Sequence, residues 1–385
     1  MRILLIHNFY QYWGGEDTYI DSLLKLLKKS GHEVYLYSKN NSNIDNLWKK
    51  IVLAVNMFWN FNVDKELSKV IEEFEPDIVH FHNIYPLITT TAYRTCKKHN
   101  IPIIQHIHNY RFICAKGFLF RNNKICELCI NKKFPFWSII FGCYNQSRLA
   151  SLIFSLSFYF NNLIKTFDLI DIFIFPSKFS RNYYLKNLSI SFKKTKIISH
   201  SFKVFKKQKK YNKKEYFLFI GRLSEEKGII QLLNIFINIP KFKLIVIGDG
   251  PLNKKIYKYK KYKNIKLLGF IERNNMSKYF EKAKAVIISS LFYEIFPNNV
   301  FLEAIEHKVP VLIPYKKDLF NQNLGEYFLY EMGDFASLKE KIINFDNIKK
   351  FINDLYFKNI FKEYNTKKKY LELIRTYQEV IKQNN

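Results

Sequence analysis

The sequence predicts an α/β protein of two doubly wound domains. Two observations carry that reading: short, unalternated apolar runs recur with helix-length segments between them, and the series restarts after residue 215. Runs of this kind form parallel strands buried on both faces. Two series in a chain of 385 residues fit two domains of ordinary size. At 48% hydrophobic and 17% aromatic residues, there is ample material for two packed cores. Disorder throughout is excluded, because disordered chains are poor in aromatic and β-branched residues.

The first series is 3–6, 34–37, 78–81, 103–106 and 172–175; the second is 216–220, 244–247, 265–268, 286–288 and 309–313. Between them, residues 203–214 hold seven Lys and little apolar content, a solvated and self-repelling linker. The expected boundaries are 1–202 for the N-terminal domain, 203–214 for the linker and 215–366 for the C-terminal domain. Residues 367–385 are expected to add a terminal helix, with Tyr370, Leu371, Ile374, Tyr377 and Ile381 on its packed face. Within the first domain, Leu152, Leu156, Tyr159, Leu163 and Phe167 fall on one helical stripe, expected to cover the sheet. Lys132, Lys133 and Arg148 accompany aromatic residues in the same region, so a membrane-facing element is the alternative. The greasy stretch 149–160 is about twelve residues long, short of the ~20 that a spanning helix needs. No export signal is visible, and the expected compartment is the cytoplasm.

The charge is +29, from 62 Lys and Arg against 33 Asp and Glu. It invites a polyanion as partner, and a basic nucleic-acid-binding protein is one candidate class. Only nine of the 62 are Arg, however, whereas readers of bases and phosphates favour the planar Arg fork. The excess is Lys and travels with Asn, Ile, Phe and Tyr, a bias that compositional drift produces without selecting a partner.

Three segments could carry chemistry. After the first strand comes Gly14-Gly15, then a helical run. A diglycine there lets backbone approach a ligand at a helix N-terminus, or is a plain tight turn. At the matching point of the second domain stands Gly221-Arg222-Leu223-Ser224-Glu225-Glu226-Lys227-Gly228. Two cations and a positive helix end suit a diphosphate; a solvated loop is the plainer reading. The third segment runs from Ser290 to Ala304 and holds Glu294 before a Phe-Pro turn and Glu303 beyond it. Such carboxylates can accept hydrogen bonds from sugar hydroxyls and stabilise charge developing at an anomeric carbon.

In this order, with Gly31-His32-Glu33-Val34, the segments resemble the retaining GT-B glycosyltransferases of family 4, over nearly the whole chain. The resemblance is closest to the subgroup that builds bacterial surface polysaccharides such as capsule and lipopolysaccharide. Its members have segments similar to His82-Asn83-Ile84-Tyr85-Pro86-Leu87, His108-Asn109-Tyr110-Arg111 and Cys143-Tyr144-Asn145-Gln146-Ser147-Arg148. It implies two Rossmann-like domains facing a cleft. Arg222 and Lys227 would hold the diphosphate of a nucleotide-sugar donor, Glu303 the ribose, and Glu294 the donor sugar. His108 would stand near the reaction centre, and Gly14 and Gly15 would offer backbone amides to donor or acceptor. Transfer would proceed with retention and without a catalytic metal. The acceptor would be a lipid-linked or oligosaccharide glycan, with the enzyme peripheral on the anionic inner face of the plasma membrane, and nucleic acid would play no part.

Two departures stand out. Eight residues, Ile295 to Leu302, separate the glutamates, one more than the family's usual spacing. An extra helical residue would turn a side chain by roughly 100°, so the turn at Asn298 or Asn299 must absorb it. Lys308 also stands where the family usually has Gly. An inactive relative that binds a nucleotide sugar without transferring it is the reading these departures motivate. Finally, Cys114, Cys126, Cys129 and Cys143 include one Cys-x2-Cys pair, compatible with a tetrahedral structural zinc or with ordinary thiols.

Overall fold

The computed structural model describes residues 1–11, 13–41, 47–201, 215–316, 328–351 and 354–384. The expected linker 203–214 lies outside the described residues. In chain order the strands are β1 (Arg2–Phe9), β2 (Glu33–Asn40), β3 (Ile78–Phe81), β4 (Ile103–His106), β5 (Phe120–Arg121), β6 (Lys124–Ile125) and β7 (Ile172–Phe175). They continue with β8 (Thr195–Ile197), β9 (Tyr216–Ile220), β10 (Leu244–Ile247), β11 (Ile265–Leu267), β12 (Ala283–Ile287), β13 (Val311–Tyr315) and β14 (Leu329–Glu331).

The chain divides into two compact units. The first takes Met1–Phe118, Glu127–Ser199 and the chain from Tyr370 onward. Its six-stranded sheet runs β2-β1-β3-β4-β7-β8, all parallel. Ile3, Leu4, Leu5 and Ile6 are wholly buried, as a central strand covered on both faces requires. The second unit takes Leu119–Cys126 and His200–Lys369. Its sheet runs β11-β10-β9-β12-β13-β14, also all parallel. Each sheet changes direction once, between β1 and β3 in the first and between β9 and β12 in the second. Ligands of open α/β sheets bind outside the carboxyl ends of the strands at such a point.

All ten apolar runs became strands, several shifted by a few residues at their ends. Four strands lacked such a run. β8 and β14 are three residues long and sit at sheet edges, and β5 and β6 form a two-residue antiparallel hairpin; none offers enough apolar length to register.

Two helical faces depart from expectation, the first only slightly. In the helix Thr366–Asn384, Tyr370, Ile374, Tyr377 and Ile381 pack on the core as expected and are joined by the buried Leu373, Thr376 and Val380, while Leu371 is exposed. It packs against Ile3, Leu5, Ile78, Ile104 and Ile174 of the first sheet, and its Tyr377 hydroxyl lies 2.6 Å from His80 Nδ1. The helix Arg148–Leu163 departs further. Leu156, Tyr159 and Leu163, expected to cover the sheet, are exposed, and its buried side carries Ser151, Ser155, Ser157 and Asn161 around Phe154. The apolar period was correct, but tertiary packing took the small polar side instead.

The segment between the glutamates turns before the helix begins. Asn298 is the N-cap of the helix Asn299–Glu306, its Oδ1 accepting from Phe301 N at 2.8 Å. Glu303 therefore sits on a regular turn. After that helix, Lys308 adopts a left-handed φ of 49°, the conformation that glycine takes without a Cβ penalty. Lys308→Gly is expected to stabilise the protein by about 1 kcal/mol, the relief of left-handed strain less the added chain entropy. A rise in thermal midpoint would show it, and an unchanged or lower midpoint would contradict it.

Candidate functional site

In the second unit the site is built at the ends of β9 and β12. Gly221 leaves β9 with its N–H bonded to Ile247 O at 3.1 Å, and Leu223 N donates to Asp249 O at 2.9 Å. The neighbouring loop approaches so closely that a Cβ on Gly248 would lie 1.9 Å from Gly221 O. A one-turn 3₁₀ helix, Glu225–Lys227, follows and ends at Gly228 with φ 65°. A Cβ on Gly228 would lie 2.0 Å from Ser289 O, so only glycine lets the loop rest on the strand-end segment after β12. Ser289 Oγ donates to Lys227 O at 2.8 Å, and Leu291 N donates to Glu226 O at 2.8 Å.

That backbone contact brings the charged groups together. Lys227 Nζ lies 2.5 Å from Glu294 Oε1 and 5.1 Å from the centre of the Phe292 ring. Ser290 Oγ donates to the same carboxylate oxygen, and Asn298 Nδ2 to the other. Burial would raise the pKa of Glu294, but the Lys227 charge and the hydrogen bonds hold the carboxyl below its ordinary range. Arg222 forms a similar pair. Its Nη2 lies 2.6 Å from Glu226 Oε1, which also accepts from Ser224 Oγ at 2.6 Å. Against the opposing effect of burial, Arg222 and Ser224 lower the Glu226 pKa. Glu303 pairs with Arg273 Nη2 at 2.5 Å.

The expected residues Arg222, Lys227 and Glu294 thus stand on bonded loops. Sequence reasoning missed Ser224, Glu226, Asn298 and Arg273. The first three lie within the recognised segments, so their neighbours were the signal. Arg273 is on a separate 3₁₀ turn, Arg273–Asn275, and only folding pairs it with Glu303.

In the first unit a recess opens at the carboxyl ends of β3 and β4, lined among others by Glu16, His82, Tyr85, His108, Asn109 and Arg111. His108 Nε2 lies 2.9 Å from His82 Nδ1, so the buried His82 fixes the ring of the partly exposed His108. Behind them, His80 and His106 continue a column of histidine rings from adjacent strands, with His106 and His108 stacked at 4.3 Å. Burial pushes His80 down to about 3, and burial with the neighbouring histidines pushes His82 well down. Burial disfavours the Arg111 cation, but the neighbouring Tyr10, Tyr144 and Glu16 shift its pKa upward.

The diglycine opens the helix Gly15–Lys29. Gly14 is the N-cap, and its N–H donates to Asp17 Oδ2 at 2.7 Å, so this amide is committed within the chain. The wholly buried Asp17 also meets His7 Nε2 at 2.9 Å, tying the turn to β1. A carboxylate three residues after the cap was the available signal for this arrangement.

The five cysteines form no disulfide. Among the described residues, Cys114, Cys129 and Cys143 of the first unit do not gather as metal ligands; His80, His82 and His106 do come within 4.8 Å. The His106 ring lies near-parallel to those of His80 and His82. A structural zinc gains no support from this arrangement.

Residues 13–202 match the family model described as Glycosyltransferase Family 4, and residues 201–349 match that described as Glycosyl transferases group 1. No curated protein matches the chain. Among solved structures, sucrose-phosphate synthase from Thermosynechococcus elongatus is 13% identical with a TM-score of 0.72, covering 99% of each chain. A glycosyltransferase from Rickettsia africae is 15% identical with a TM-score of 0.66, covering 99% of this chain and 98% of its own. HepE from Anabaena in complex with UDP-glucose is 15% identical with a TM-score of 0.65, covering 98% of this chain and 100% of its own. At these identities the structures establish the fold.

The pKa shifts set a pH dependence. His80 and His82 are neutral in the folded chain, whereas an unfolded histidine binds its proton near pH 6.5. The unfolded state then binds more protons, so stability falls as pH drops from about 6.5 towards 3, at up to about 1.4 kcal/mol per unit for each histidine. The lowered pKa values of Glu226 and Glu294 give stability that is present above the ordinary carboxylate range and lost as pH falls through their folded values. Thermal midpoints measured at constant ionic strength should decline steadily below pH 6.5; a flat profile to pH 4.5 would contradict the assignment. With two α/β units, each carrying its polar groups at a switch point, and family models matching from residue 13 to residue 349, the chain belongs to the glycosyltransferases of GT-B architecture.

Proposed function

We propose that the protein is a retaining transferase that moves a sugar from a nucleotide-sugar donor to a lipid-linked glycan, in the assembly of a bacterial surface polysaccharide. The Lys227–Glu294 pair at the switch point of the second sheet carries this reading. A donor diphosphate competes with Glu294 for Lys227 and with Glu226 for Arg222. Once it is bound, two cations face the charge that develops as the bond from the anomeric carbon to the phosphate oxygen breaks. Released from Lys227, Glu294 accepts hydrogen bonds from the donor sugar, and Glu303 accepts them from the ribose.

The acceptor hydroxyl attacks from the face the diphosphate leaves, and its proton passes to the departing phosphate oxygen. The charge stabilisation comes from Arg222 and Lys227, and a catalytic metal is not part of the scheme. In this reading residues 1–202 receive the acceptor, residues 203–214 connect, residues 215–366 hold the donor, and residues 367–385 close the first domain. His108, with its ring fixed by His82, faces the transferred sugar, and the turn at Gly14 and Gly15 shapes its surroundings. UDP and UDP-glucose accompany the HepE structures, which supports a nucleotide sugar as donor here.

A panel of UDP-, GDP- and other nucleotide sugars tests the reading by thermal shift, then by transfer to membrane-derived acceptors. Stabilisation and turnover are expected with one donor class. Lys227→Ala should lower kcat/KM by roughly 10²–10³-fold, the usual loss on removing one group aimed at developing charge. Glu303→Ala should weaken donor binding. Stabilisation without turnover would mark a binding-only relative, which the altered glutamate spacing motivates. No response to any nucleotide sugar would overturn the proposal.

A further inference from the structure

The recess of the first unit holds a cation that the fold leaves unmatched. Arg2, Arg222 and Arg273 each pair with a glutamate. Among the described residues, no carboxylate comes within 4.0 Å of the Arg111 guanidinium, and its enclosed Nε has no hydrogen-bond partner. A cation drawn partly out of water without a partner opposes folding, so its place here points to a ligand.

The backbone fixes where this group stands. Arg111 N donates to Asn109 Oδ1 at 2.9 Å, and the Tyr184 hydroxyl donates to Asn109 O at 2.6 Å. Tyr110 N donates to Gly117 O at 3.0 Å and Cys114 N to Tyr110 O at 2.8 Å, so the segment folds back on itself. Gly117, at φ 78°, passes beside the guanidinium, where a Cβ would lie 3.6 Å from Arg111 Nε. Next to Arg111 in the recess, Glu16 and Asn109 present a carboxyl and an amide, groups that exchange hydrogen bonds with sugar hydroxyls. The Tyr10 hydroxyl donates to Glu16 Oε2 at 2.8 Å and holds that side chain in place.

Charge selects the ligand. Among the described residues, no Lys and no second Arg lines the recess. One guanidinium balances a single negative charge, and its planar fork matches both oxygens of a carboxylate. A phosphate carries more charge than one arginine balances, and the excess would face Glu16. Burial raises the pKa of Glu16, which lessens its repulsion of a singly charged ligand. We infer that the recess is a subsite for an acidic sugar of the acceptor, its carboxylate held by Arg111 and its hydroxyls met by Glu16 and Asn109. This rests on the proposal that the first unit receives the acceptor.

Ligand-observed NMR titration of the full chain, without donor, tests it with nitrophenyl glucuronide against nitrophenyl glucoside. The glucuronide should bind at least about tenfold more tightly, the usual gain from hydrogen bonds to a charged group. Arg111→Met should remove the difference, and Arg111→Lys should keep only part of it, since lysine lacks the fork. Circular dichroism and thermal midpoints check that the variants are folded, and the comparison on the parent protein stands without them. Glucosyl phosphate and inorganic phosphate complete the panel, and both should bind more weakly than the glucuronide. Absence of glucuronide binding, equal binding of glucuronide and glucoside, tighter binding of either phosphate, or a preference that survives in folded Arg111→Met would overturn the inference. The titration contains no donor, so its failure leaves the donor assignment standing, and failure of the nucleotide-sugar panel leaves the titration readable.

Discussion

The contact between the loop after β9 and the segment after β12 governs the candidate site of the second unit. Gly228 carries no Cβ, so its backbone rests against Ser289. Two hydrogen bonds then lock the loops, from Ser289 Oγ to Lys227 O and from Leu291 N to Glu226 O. Lys227 and Glu294 meet because these loops are pinned, not because their own attraction gathers them. A salt bridge with one partner a tenth exposed and the other a quarter exposed gives limited net stability, since desolvation opposes the attraction. Its value is placement: the pair fixes where the Lys227 cation stands at the strand ends.

Much of the architecture was legible in sequence because parallel strands covered on both faces must be apolar throughout. The runs at 78–81 and 216–220 became strands with those boundaries. The positions of the loops carrying Arg222, Lys227 and Glu294 were legible too, because their glycines and charged residues directly follow apolar strand runs. Helical faces were not. In Arg148–Leu163 the periodicity located a stripe but could not say which side faces the protein; the hydrogen-bonded serines decided that. Nor could sequence reveal Arg273 as the partner of Glu303, or His82 as the support of His108, since tertiary folding alone makes those neighbours.

The net charge of +29 divides unevenly in meaning. Arg222, Lys227 and Arg273 are each paired with a glutamate and belong to the local chemistry of the second unit. Lys132, Lys133, Arg148 and Lys165 lie in a stretch with no acid to balance them. A large total charge thus conceals two opposite arrangements, one paired residue by residue and one in a stretch of chain without acids.

The terminal helix has a consequence for biosynthesis. Leu373, Tyr377 and Val380 complete the core formed by Ile3, Leu5, Ile78 and Ile104. The unit begun first is therefore finished last: its sheet remains partly uncovered while the whole second unit is translated. Domains made of consecutive residues can fold as they emerge from the ribosome. Here the opening strands must wait for the closing helix, and the apolar surface of the nascent sheet is a natural client for chaperones until it arrives.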